Sequence, residues 1–263
     1  MAETALRTRL ARRIATRHRV HVRPHPGPVS DADRPIGLGG KSGALRAAIF
    51  GINDGLISNL SLIMGVAGAT VSNHFILVAG VAGLLAGSFS MAAGEYGSMR
   101  AQRELFERLL HIEAHELATE PEEEHEELRK IYEDRGIPAE LAHQVTAAVM
   151  RDPKVALETH AREELGLDPD ELGSPWGAAI SSLVMFAIGA VIPLLPFVIG
   201  SGTAAVVAAI AGSAGSIFGV GAAMTILTGR SVWYSGGRML LLGTVAAGIT
   251  FGVGRLLHVS TGA

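Results

Sequence analysis

Acidic residues at helical spacing are the first feature of the sequence that could do chemistry. They form three groups, and in each group the side chains lie three or four residues apart. That spacing places ligands on one helical face, as in the carboxylate-bridged metal sites of helical bundles. The predicted metal ligands are Glu113, Glu116, Glu124, Glu127, His160, Glu163 and Glu164.

A solvated acidic surface is the simpler interpretation of any single glutamate in this region. We interpret the neighbouring acidic residues in that way. Those residues are Glu120, Glu122, Glu123 and Glu126. Three groups on separate segments favour metal binding, and His111, His115 and His125 lie close enough in sequence to contribute.

A second set of residues lies inside apolar runs and predicts an ion path. Asp54 lies about nine residues into the first run, roughly 14 Å along a helix at 1.5 Å per residue. Ionisable residues at such depth are costly and usually line an ion or proton path. Met91 and Glu95 share a helical face, and a thioether beside a carboxylate suits ferrous iron better than calcium. The alternatives are packing roles for Asp54 and Met91 and a boundary surface position for Glu95.

Composition restricts the chemistry further. The chain of 263 residues has no cysteine, which excludes disulfides, thiolate zinc sites and iron–sulfur ligation. A metal must be held by oxygen, imidazole nitrogen or thioether sulfur. The net charge of -3 combines a basic N-terminus with an acidic middle, and without a basic patch bearing aromatic residues we expect no nucleic-acid partner.

Five apolar runs approach or exceed the roughly 20 residues that a spanning helix needs. They are 45–69, 75–94, 176–199, 204–228 and 239–257. Turn residues are expected in the short breaks between them, with Ser235-Gly236-Gly237 before the fifth run. Pro193 and Pro196 should kink the third. Lys and Arg occur in the N-terminal tail, after the second run and between the fourth and fifth, so we expect the N-terminus and the acidic segment in the cytosol and the C-terminus outside.

The acidic segment between the second and third runs predicts a small helical bundle. Its predicted helices are 104–117, which continues the second span, then 121–133, 138–150 and 153–165. Prolines stand near three helix starts and glycines follow two helix ends, which is the usual punctuation of helices.

The fold class is therefore all-α: a five-helix transmembrane bundle with a cytoplasmic helical metal-binding insert between spans two and three. The predicted domains are a basic, disordered cytosolic tail (1–41), spans one and two (42–99), the acidic insert (100–174) and spans three to five (175–263).

Two long motifs give the chain a resemblance to a known family. They are RAAIFGINDGLISN at 46–59 and SMAAGEY at 90–96, followed by Ile131-Tyr132, Arg135-Gly136 and Glu164-Leu165-Gly166. With them the chain resembles the vacuolar iron transporter family over residues 42–258.

The resemblance implies a homodimer in the bilayer that exchanges ferrous iron, and often manganese, for protons, with no prosthetic group. Cobalt and zinc are further candidate cargoes. It implies that Asp54 and Met91 line the path between protomers and that the insert glutamates gather metal. In the last insert helix, where the family often has a Met followed by a Glu, this chain has His160 and Ala161.

The expected function is export of divalent metal from the cytosol, across a bacterial plasma membrane or into a vacuole. A membrane-anchored di-iron ferroxidase is an alternative, but such sites usually need two Glu-x-x-His motifs, and we identify one good instance, Glu122 to His125. A tethered metal sensor or storage module is the other alternative.

Overall fold

A computed structural model describes residues 42–70, 72–169 and 172–261, and the predicted disordered tail lies outside them. The described residues fold entirely as helices and connecting turns. The helices are α1 (Ser42–Ala69), α2 (Asn73–Thr119), α3 (Pro121–Asp134), α4 (Ala139–Val149), α5 (Pro153–Glu163), α6 (Pro175–Ile199), α7 (Gly202–Ala223), α8 (Thr225–Thr228) and α9 (Val232–Thr261).

Five of these helices, α1, α2, α6, α7 and α9, are long and apolar enough to cross a membrane. The short helices α3 to α5 lie between the second and third of them, so the predicted all-α class and element order are confirmed. The 47 residues of α2 extend for about 70 Å at 1.5 Å per residue, more than twice the hydrocarbon thickness of roughly 30 Å. One helix therefore connects the apolar bundle to the insert, and the domain boundary predicted at residue 100 falls within it.

Helix α1 is the centre of the bundle and packs against α2, α6, α7 and α9. Its closest neighbour is α6, where glycines let the two backbones meet. A Cβ added to Gly55 would overlap the carbonyl oxygen of Phe186, and one added to Gly189 would overlap that of Ile52. Small residues at such crossings allow close van der Waals packing, which is what associates helices in lipid.

The last two spanning helices differ from the predicted bounds. The fourth predicted run ends early, at Ala223, and a single turn, α8, follows before Gly229 takes a left-handed conformation with φ of 63°. The fifth helix begins at Val232, so the glycines expected to form a turn lie inside it. Gly236 packs there against the ring of Phe218. A Cβ at this position would overlap the ring, so close helix packing explains the glycine.

The insert packs around a few small and apolar side chains. Leu128 of α3, Ala142 and Thr146 of α4 and Ala156 of α5 are fully or almost fully buried. Helix α5 contacts α2, α3 and α4, so it touches every other helix of the insert. Helix α5 is therefore central to the packing of the insert.

Candidate metal site

Four of the predicted ligands converge where α2, α3 and α5 meet. Nδ1 of His160 lies 3.0 Å from Oε1 of Glu113, 3.4 Å from Oε2 of Glu124 and 3.8 Å from Oε2 of Glu164. One ligand atom from each of the four residues lies within 4.8 Å of the others. We call these four residues the acidic cluster.

The acidic cluster is buried on one side and open on the other. His160 is 0% exposed, Glu113 3% and Glu124 7%, whereas the Glu164 side chain is 33% exposed. Glu113 Oε1, Glu124 Oε2 and both ring nitrogens of His160 make no well-aligned hydrogen bond among the described residues, although His160 Nδ1 lies within ion-pair distance of Glu113. Buried polar atoms are normally hydrogen-bonded, so this convergence is an arrangement that a bound cation would stabilise.

Local sequence explains why His160 reaches this point. Helix α5 begins after Asp152, whose side chain accepts the backbone N–H groups of Lys154 at 2.9 Å and Val155 at 3.4 Å. This is a typical N-cap interaction. Gly166, with φ of +65°, ends the turn that carries the last ligand.

The electrostatics of the acidic cluster keep protons on it at neutral pH. Burial, followed by the negative charges of Glu113 and Glu127, raises the pKa of Glu124 to about 8. Burial by itself would lower the pKa of His160, but its contacts with Glu113 and Glu164 outweigh burial and raise that pKa to about 9. A metal ion that binds here must therefore displace protons.

The donor set fits a divalent first-row transition ion. Three carboxylates and one imidazole supply oxygen and nitrogen, and together they carry enough negative charge to compensate a 2+ ion. Calcium and magnesium prefer oxygen ligands alone, whereas imidazole suits iron and zinc, and manganese accepts carboxylates. Metal binding by these residues stays a prediction.

The remaining predicted ligands of the insert lie at the edge of the acidic cluster or away from it. Glu116 and Glu127 are exposed, and burial followed by the charges of the cluster raises the pKa of both. Glu163 forms an ion pair with Arg135, although it neighbours Glu164 in sequence. The structure thus brings four of the seven predicted ligands together in the acidic cluster. It leaves Glu116 and Glu127 at the edge of the cluster and pairs Glu163 with Arg135.

The predicted path residues lie in α1 and α2. Asp54 is partly buried, and within the part of the chain that the structure describes no hydrogen bond or ion pair reaches its carboxylate. Ser58 donates a 2.6 Å hydrogen bond to the Asp54 backbone carbonyl. Met91 is partly buried, and Glu95 lies 3.8 Å from Nη2 of Arg46, so an ion pair joins α2 to α1.

Sequence analysis did not single out His143, which contacts His125 across α3 and α4. Each of these histidines closes a Glu-x-x-His motif, Glu122 to His125 and Glu140 to His143, so the second motif is a sequence signal that could have found His143. Neither motif contributes a residue to the acidic cluster, so the cluster gives the ferroxidase alternative no support.

Comparison with known proteins identifies relatives along most of the chain. A sequence profile described as the VIT family matches residues 45–255. A vacuolar iron transporter from Acanthamoeba castellanii is 34% identical over 239 residues, covering 87% of this chain and 84% of that protein. Vacuolar iron transporter 1 from Arabidopsis thaliana is 28% identical over 215 residues, covering 81% and 86%. Vacuolar iron transporter homolog 1 from Oryza sativa subsp. japonica is 34% identical over 213 residues, covering 81% and 73%.

These relatives and the five spanning helices identify a multi-pass integral membrane protein. The match covers both long motifs that first suggested a family. The chain therefore belongs to the VIT family, which confirms the membership predicted from its sequence.

Proposed function

We propose that this protein exports ferrous iron from the cytosol in exchange for protons, working as a homodimer. The observation that carries the proposal is the acidic cluster, whose buried carboxylate and imidazole atoms converge near the end of a membrane-spanning helix. The relatives named vacuolar iron transporters support iron as the cargo. Manganese, cobalt and zinc are secondary cargoes because the same donor types accept them.

Capture of the metal is the first step. The acidic surface of the insert attracts divalent cations, and the open side at Glu164 gives them access to the buried ligands. Binding displaces protons from Glu124 and His160, since both groups are protonated at neutral pH. Metal occupancy and proton release are therefore linked at this site.

Transfer to the membrane follows helix α2. Glu113 and Met91 lie on this one helix, 22 residues or about 33 Å apart. Glu95 lies between them, near the cytosolic end of the apolar segment, where Arg46 neutralises it. A metal ion that binds Glu95 must therefore displace the arginine, which makes this ion pair an entry point to the path.

Asp54 is the site at which metal and protons compete within the membrane. A carboxylate can bind a divalent ion or a proton but not both, so alternate occupancy at this residue couples the two flows. The carboxylate has no partner within the described protomer. In the proposed homodimer, a second copy of the chain would cover this carboxylate.

The experiment is ferrous-iron uptake by liposomes that contain the purified protein, under an imposed proton gradient and with manganese in parallel. Wild type should show gradient-dependent uptake, and Asp54→Asn should reduce it at least tenfold because the amide cannot exchange a proton. Ser216→Ala, which removes a hydroxyl of α7 that donates to Gly212 of the same helix, is the control and should transport like wild type.

Two outcomes would replace the proposal. Metal binding by the insert without any flux in wild type would indicate a sensor or storage module. Oxygen consumption on addition of ferrous iron would indicate a ferroxidase. Undiminished, gradient-dependent uptake by Asp54→Asn would contradict the path assigned to that residue.

The proposal includes the topology and the location of the protein. The N-terminus and the insert lie in the cytosol, and the C-terminus lies on the opposite side. The membrane is a bacterial plasma membrane, or a vacuolar membrane in a eukaryote.

A further inference from the structure

The insert contains a histidine pair that the acidic cluster does not use. His125 of α3 and His143 of α4 have ring centroids 5.1 Å apart, with their planes inclined at 77°. His143 is exposed, and the His125 side chain is 20% exposed. Both rings are therefore reachable from solvent, unlike His160.

The separation of the rings agrees with that of two imidazoles on one metal ion. Zinc lies about 2.0–2.1 Å from an imidazole nitrogen, which itself lies about 1.1 Å from the ring centroid. Two rings at the tetrahedral angle around one ion then have centroids about 5.2 Å apart. The observed 5.1 Å is close to that separation, so a shared ion requires only that each ring turn a nitrogen toward it.

The charged groups around the pair are compatible with a cation. Oε1 of Glu126 lies 3.9 Å from Nδ1 of His125, the right range for a hydrogen bond from metal-bound water. Arg129 holds the other oxygen of Glu126 at 2.6 Å and compensates its charge.

We propose that His125 and His143 form a second metal site, specific for late first-row divalent ions such as zinc, cobalt or nickel. Two imidazoles occupy two positions and water fills the others, with Glu126 hydrogen-bonded to that water. Nitrogen ligands favour these ions over manganese and ferrous iron, following the Irving–Williams order. An ion at this site would join α3 to α4, whereas the acidic cluster joins α2, α3 and α5.

The test is a zinc titration of the full-length protein in detergent, followed by calorimetry, with His143→Ala and His125→Ala. Each variant should lose one equivalent of bound zinc, or bind it at least tenfold more weakly. His74→Ala, which removes an exposed histidine near the start of α2, is the control and should keep the wild-type stoichiometry.

The proposal does not depend on transport. Glu113→Gln should weaken binding at the acidic cluster and leave the second zinc equivalent intact, so failure of one site does not imply failure of the other. Equal zinc binding by wild type, His143→Ala and His125→Ala would overturn the proposal. An equal loss in His74→Ala would also overturn it, because exposed histidines in general would then be responsible. Absorption spectra of the cobalt-loaded protein are a second readout. The bands of cobalt depend on nitrogen ligation, so His143→Ala should remove the bands that belong to this site.

Discussion

At the scale of single residues, the acidic cluster is defined by which glutamates reach His160. Glu163 and Glu164 are adjacent in sequence, but Glu164 faces the imidazole and Glu163 faces Arg135. A shift of one position turns a side chain by about 100° on a helix, which is enough to exchange a ligand position for an ion pair. The same difference provides a matched pair of variants.

Metal affinity should rise with pH. Glu124, with a pKa of about 8, and His160, with a pKa of about 9, must lose protons to bind metal. Each released proton contributes up to about tenfold in affinity per pH unit below its pKa. Manganese binding, measured by calorimetry on the full-length protein, should be at least tenfold tighter near pH 8 than near pH 6.

Substitution separates the cluster residues from their neighbour. Glu124→Gln should weaken manganese binding at least tenfold and flatten its pH dependence, because the titrating carboxylate is gone. Glu163→Gln is the same chemical change outside the cluster and should preserve both. A wild-type pH profile in Glu124→Gln, or a loss of equal size in Glu163→Gln, would show that the cluster is assigned wrongly.

At the scale of helices, glycine has two different uses in this bundle. Gly83 and Gly87 pack against α1 and α6 side chains, and Gly189 meets the α1 backbone. Gly215 and Gly219 of α7, with the same four-residue spacing as Gly83 and Gly87, have no atom within 4 Å of an added Cβ. The spacing alone therefore does not distinguish a helix crossing from an open helix face.

Gly189→Ala should destabilise the bundle, because the new methyl group overlaps the Ile52 carbonyl oxygen and forces α1 and α6 apart. Overpacking typically costs about 1–3 kcal/mol. Gly215→Ala adds the same methyl group in open space and should be neutral or slightly stabilising, since alanine favours helix. The apparent melting temperature in detergent, followed by size-exclusion chromatography, should fall only for Gly189→Ala.

At the scale of the whole molecule, one face of α1 has no cover among the residues that the structure describes. Ser58 is exposed, Leu62 is 39% exposed, and both continue the line of Asp54 at intervals of four residues. A membrane carboxylate next to an uncovered face favours an interface between two copies of the chain. The homodimer proposal therefore predicts that this face of α1 lies close to its own copy.

The natural chain has no cysteine, so single-cysteine crosslinking can test the interface directly. Ser58→Cys should form a disulfide-linked dimer in membranes under mild oxidation, since disulfides need Cα atoms within about 7 Å. Leu242→Cys, on the exposed face of α9, is the control and should stay monomeric. Crosslinking of Leu242→Cys in place of Ser58→Cys would move the interface to α9.

The sequence by itself determined the family, the five spans and the helical insert. Long apolar runs and helix punctuation depend on local composition, so they can be read without tertiary contacts. It also supplied every residue of the acidic cluster, because three- and four-residue spacing reports which side chains share a helical face.

Only the tertiary structure decided which faces meet. It assigned Glu163 to Arg135, brought His125 to His143, and placed Gly236 inside α9 instead of in a turn. These outcomes depend on how the helices rotate and cross, and spacing within one helix carries no information about its neighbour's orientation. Partners on separate helices, such as Glu113 and His160, become a site only when packing brings them within 3.0 Å.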